Sequence, residues 1–146
     1  MTRLHVLSRF ALGAIFLAAS WDKLLHPAEF AAIIADYRVL PEALVNPAAV
    51  LLPWLELVLG LLLVAGRLAN GALWLSNLLL WAFWLSLLSA RLRGLDVDCG
   101  CFSVSAQGGG HMTWYLVRDG LLVVLGLAAL LTRRRESNIP PLCSLR

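Results

Sequence analysis

Residues 48–64 read AAVLLPWLELVLGLLLV, an unbroken apolar run whose one ionisable side chain is Glu56. The apolar residues are continuous and do not alternate. In lipid, where no water satisfies backbone groups, such a run is a helix and not a barrel strand. Three runs of the same kind accompany it, at residues 4–20, 71–88 and 114–131. Each is near the lower end of the roughly 20 residues that a hydrocarbon core requires. Trp21, Trp54, Trp84 and Trp114 stand near run ends, where an amphipathic ring prefers the membrane interface.

Composition agrees. Of the 146 residues, 60% are hydrophobic and 14% charged, and the mean hydropathy is +0.80. Soluble domains carry about 25% charged residues, and one of this size has too little interior to hide so much apolar side chain. An ordinary cytosolic enzyme, a disordered chain and a small disulfide scaffold are excluded. The expected fold is an all-α membrane protein, a four-transmembrane-helix bundle forming a single domain over residues 1–146. A secretory signal is the competing reading of run 4–20, given Arg3, Arg9 and the small residues Ala18, Ala19 and Ser20. Arg9 inside the run, and the charged loop after it, favour a retained span.

The net charge of +3 does not point to nucleic acid, because Arg133, Arg134 and Arg135 cluster at the end of an apolar run and read as a topology signal. With the N-terminus cytoplasmic, Arg3, Arg9, Arg67, the Arg133–135 cluster and Arg146 fall inside. Lys23, Arg38, Arg91, Arg93 and Arg118 fall outside, with most of the acids. Both termini are then cytoplasmic. The first outer loop is long for a helix–helix connection. Within it, residues 27–37 read as a short amphipathic helix, with Pro27 at its first position and Phe30, Ile33, Ile34 and Tyr37 at helical spacing. This helix either caps the bundle or lies on the membrane surface.

The second outer loop carries Asp96-Val97-Asp98-Cys99-Gly100-Cys101-Phe102-Ser103. A disulfide closed across one residue departs from the preferred geometry, and strained, exposed disulfides tend to be labile or catalytic. Gly100 permits the tight backbone. So short a loop removes almost no chain entropy, which argues against a purely structural bridge. Inert thiols, and a metal set of Cys99, Cys101, Asp98 and His111, are the other readings. Cys143 falls on the cytoplasmic side, too far from the pair to relay electrons. Around the pair, Glu56 and Arg118 each lie about one turn into a span, Asp119 follows, and Lys23 ends the first span on the same side. An intramembrane carboxylate needs a partner. Glu56–Lys23 and Glu56–Arg118 both supply one, either as a structural lock or as charges that tune a thiolate.

Asp98-Cys99-Gly100-Cys101-Phe102, followed by Trp114 and Arg118-Asp119, resembles the MauE branch of the DoxX-like membrane proteins. So do Lys23 to Pro27, Tyr37 to Pro41, and Leu52 to Glu56 with Gly60. Ser103 stands where the family usually has Gly. The resemblance implies a four-helix inner-membrane protein with a redox-associated role, linked to maturation of the disulfide-rich β-subunit of methylamine dehydrogenase. The expected activity is thiol–disulfide exchange by Cys99 and Cys101, with Lys23, Glu56, Gly100, Phe102, Arg118 and Asp119 in support. The expected partners are membrane lipid and a thioredoxin-like or secreted disulfide-containing protein. A membrane quinone is the one cofactor that architectural analogy offers, and no metal is expected. Two other classes stay open: a non-catalytic scaffold or chaperone for a soluble redox protein, and a small metal-handling membrane protein.

Overall fold

A computed structural model describes residues 2–95 and 112–137. Cys99, Gly100, Cys101, Phe102, His111 and Cys143 lie outside the described residues, and so do the readings that depend on them. The described chain forms five helices: α1 (Thr2–Leu25), α2 (Pro27–Asp36), α3 (Glu42–Ala65), α4 (Ala69–Leu92) and α5 (Met112–Ser137). Each apolar run falls inside a longer helix. Polar residues such as Asp22, Lys23, Glu42 and Asn46 end a hydropathy window without ending a hydrogen-bonded helix.

Among the described residues, α3, α4 and residues 113–131 of α5 are long and apolar enough to cross a membrane. The 24-residue α1 has the length but carries Arg3, His5 and Arg9 in its first turns. The four long helices close a ring. α1 lies between α3 and α5, and α4 completes the circuit between α5 and α3. α2 packs on α3 and on the end of α1, burying Phe30 and Ile34 against Val45 and Ala49.

Helical periodicity decides which residues face inward. On α3 the buried residues are Val45, Ala49, Pro53, Glu56, Leu59, Gly60 and Leu63, a single stripe. On α1, Leu12, Phe16, Ala19 and Lys23 form the matching stripe. Large apolar side chains on the opposite faces, among them Leu51, Leu61, Leu78 and Leu121, are exposed. That arrangement suits a lipid solvent.

The closest approach is between α1 and α3. A Cβ on Gly13 would come within 2.8 Å of Val64 Cγ2, and one on Gly60 within 2.9 Å of Leu17 Cγ. The two glycines also face each other, since a Cβ on either would lie 3.1 Å from the other's carbonyl oxygen. α3 ends at Gly66, whose φ of 72° is the left-handed cap that glycine adopts at little cost, and its N–H donates to the Leu62 carbonyl. Asn77 ties α4 to α5, its Nδ2 donating to the Leu73 carbonyl at 2.8 Å and the Gly126 carbonyl at 3.1 Å. That is the interhelical role expected of an amide in a span.

Gly60→Val is therefore expected to force α1 and α3 apart and to cost about 1–3 kcal/mol, as overpacking does elsewhere. Gly71→Ala, whose added Cβ meets nothing within 4 Å, is expected to be neutral or slightly stabilising. Thermal unfolding of the two variants in detergent checks the contrast, and equal losses would contradict this packing.

Candidate functional site

Lys23 and Glu56 each sit on the inward stripe of their helix and they meet, Lys23 at the end of α1 and Glu56 about four turns into α3, deeper than the one turn expected from the apolar run. Lys23 Nζ donates to Glu56 Oε1 at 2.7 Å and to Oε2 at 2.8 Å. The two residues are only 2% and 3% exposed, so each charge depends on the other. Of the two partners the sequence offers for Glu56, the fold selects Lys23.

Aromatic rings complete the ammonium's surroundings. Lys23 Nζ lies 5.0 Å from the ring centroid of Phe30 on α2 and 4.9 Å from that of Phe83 on α4. Both distances suit cation–π attraction. Four helices thus converge on one ammonium group: α1 supplies it, α3 pairs it, and α2 and α4 wall it in.

Beside the pair is a small cavity of about 40 Å³, lined by Lys23, Glu56, Phe83 and Asp119 among others. It has the scale of roughly one or two water molecules. Asp119 reaches it from the inward stripe of α5 and is 6% exposed. Arg118 turns to its chain neighbour: its Nε donates to Asp119 Oδ1 at 3.0 Å, and its guanidinium lies 5.3 Å from the Tyr115 ring centroid. Of the supporting residues expected from sequence, Lys23, Glu56 and Asp119 therefore share one cavity wall, and Arg118 stands beside it through Asp119. Phe83 was not expected. α4 is apolar on nearly every face, so no periodicity singles that residue out.

The same end of the bundle is strapped together. The Arg93 guanidinium donates to the carbonyl oxygens of Tyr37 and Arg38, joining the end of α4 to the end of α2. Leu95, Tyr115 and Leu116 pack against a buried cluster of Tyr37, Leu87 and Ala90. The chain therefore leaves α4 and re-enters α5 in the half of the bundle that holds the ion pair, about two turns beyond Phe83 and Asp119, and residues 96–111 connect α4 to α5 in the sequence.

Glu56→Leu strands a buried ammonium and is expected to cost about 3–5 kcal/mol. Lys23→Met combined with Glu56→Leu removes both charges and is expected to recover most of that loss. Unfolding of the wild type, both single variants and the double variant gives the coupling directly. A double variant no more stable than the worse single one would mean that the pair is not what holds this end together.

Comparison with known proteins follows the same lines. Residues 1–132 match the family described as methylamine utilisation protein MauE. Methylamine utilization protein MauE of Paracoccus denitrificans is 35% identical over 122 residues, which are 82% of this chain and 64% of that protein. The protein of the same name from Methylorubrum extorquens is 36% identical over 127 residues, 84% of this chain and 67% of the relative. That of Methylophilus methylotrophus is 33% identical over 116 residues, 75% of this chain and 60% of the relative. The chain thus spans about two-thirds of the length of these relatives. No solved structure matches it. The family that the Cys-Gly-Cys-Phe motif and its companions indicated is the family found, and this chain is a member of the MauE membrane protein family.

Proposed function

We propose that the protein is an inner-membrane thiol–disulfide redox protein serving methylamine utilisation. Cys99 and Cys101 cycle between dithiol and disulfide on the extracytoplasmic face. When the pair is reduced, one thiolate attacks a partner's disulfide, a mixed disulfide forms, and the second cysteine resolves it. Two electrons and two protons pass to the partner, and the reverse sequence oxidises a partner dithiol. The client is a secreted disulfide-containing protein, with methylamine dehydrogenase the first choice.

The observation that carries this reading is the placement of the buried Lys23–Glu56 pair, with Asp119 beside it, in the half of the bundle where α4 stops and α5 starts, about two turns in from those ends. The Cys-Gly-Cys segment joins those two points. An ammonium close to a cysteine favours the thiolate, and the Glu56 and Asp119 carboxylates, which share one small cavity, offer acceptors for the proton. The relatives' names support the pathway.

In this reading α1 is a fourth span. Its outward face presents Leu7, Phe10 and Trp21, all exposed, as a lipid-facing helix would. Both termini are cytoplasmic, which puts Arg3, Arg9 and Arg67 on the positive side.

Cys101→Ser, which keeps Cys99, or Cys99→Ser, which keeps Cys101, is expected to accumulate a mixed disulfide with an extracytoplasmic protein in cells, visible as a band lost on reduction. The double variant is expected to trap nothing and to leave the client's cysteines reduced. A membrane-impermeant thiol reagent is expected to label the pair from the periplasmic side. Full client oxidation by the double variant, or labelling only after the inner membrane is opened, would overturn the proposal.

A further inference from the structure

At the far end of the bundle the electrostatics differ. A cavity of about 850 Å³ opens between the start of α1, the end of α3 and the start of α4. His5 and Arg9, four residues apart and so on one face of α1, line it. His5 is 7% exposed, and its Nδ1 is buried without a hydrogen-bond partner. Arg9 Nε is likewise buried and unpartnered, with its guanidinium against Gly66.

Ala69, Asn70 and Gly71, the first residues of α4, form part of the same wall. Their N–H groups precede the first intrahelical bond, in which the Ala72 N–H donates to the Leu68 carbonyl, and Leu68 caps the helix without a side-chain acceptor. A helix start of this kind presents donors and a positive dipole end. No carboxylate lines the cavity among the described residues.

We propose that this cavity is an anion site that takes a phosphate group, carried either by a phospholipid headgroup or free in solution. Arg9 supplies the charge, the His5 ring and the α4 N–H groups supply further donors, and Leu59, Leu62 and Leu75 accommodate an attached apolar portion. The volume fits a glycerophosphate better than a bare ion, since small-molecule sites run to about 300–1,000 Å³. The inference is independent of the thiol reading, because it concerns the opposite end of the molecule and needs no cysteine.

The test uses the purified, delipidated full chain in a neutral detergent, with thermal unfolding followed as probes are titrated. Phosphatidylglycerol, inorganic phosphate and uncharged diacylglycerol are the three probes. A rise in midpoint with inorganic phosphate identifies free anion as the source, and a rise with phosphatidylglycerol alone identifies the headgroup. Either result supports the site. Arg9→Gln and Gly71→Glu are expected to weaken the response about tenfold or more, the scale of one charge-assisted hydrogen bond. Gly71→Glu is expected to fold, because its side chain enters open space and an acid suits a helix start. No rise with either phosphate probe, an equal rise with diacylglycerol, or an undiminished rise in both variants would overturn the proposal.

Discussion

Lys23 and Glu56 are opposite charges held almost wholly away from solvent, and the rest of the bundle is arranged around that pairing. Neither group is tolerable alone in so apolar a body, since a buried charge without a partner costs several kcal/mol, on the order of 3–5. Both oxygens of one and the ammonium of the other are engaged, so the contact fixes direction as well as distance. A shift of α1 by one residue would turn Lys23 by about 100° and carry it off the inward stripe. The pair therefore sets the register of α1 on α3. Phe30 and Phe83, placed against the same ammonium, refer α2 and α4 to the same point.

A register lock of this sort matters more here than in a soluble bundle. Lipid tails are as apolar as leucine, so burial of leucines does little to choose one helix arrangement over another. The exposed Leu51, Leu61 and Leu121 differ little in chemistry from the buried Leu12, Leu63 and Leu73. What discriminates is close approach and polar contact. Gly13 and Gly60 bring two backbones together, and Asn77 reaches the Gly126 carbonyl from α4 to α5, where a Cβ on Gly126 would collide with the Asn77 amide. Trp84 Nε1 adds a bond to the Leu116 carbonyl. These few contacts are spread along the bundle, so each fixes a different level of it.

Much of this was legible in the sequence, and the gaps have identifiable causes. Continuous apolar runs located α3, α4 and α5, and the motifs around Cys99 and Cys101 located the family. The partner of Glu56 was left open between Lys23 and Arg118, because both lie at similar depth at one end. Periodicity resolves it in hindsight. Lys23 continues the stripe of Leu12, Phe16 and Ala19, whereas on α5 it is Asp119, not Arg118, that continues with Val123, Gly126 and Leu130. Phe83 was not legible, because a helix apolar all round has no marked face. His5 is not legible either, despite its four-residue spacing to Arg9, because a lone histidine near a chain start carries no signal until the fold shows what it lines.

Connection length explains why the two ends of the molecule diverge. The chain from α3 to α4 turns in residues 66–68, too few to fold over the end of the bundle, so among the described residues the wall formed by His5, Arg9 and the start of α4 is open. The chain from α1 to α3 has room for α2, which lays Phe30 over Lys23 and is held at its far end by Arg93. One end therefore satisfies its charges internally, ammonium against carboxylate and guanidinium against carboxylate. The other offers cationic and N–H donors in a cavity whose described lining holds no acid. In a low-dielectric body a donor left in that condition is satisfied by whatever acceptor the surroundings provide; at a bilayer surface both water and phosphate serve, and of the two only phosphate brings a countercharge.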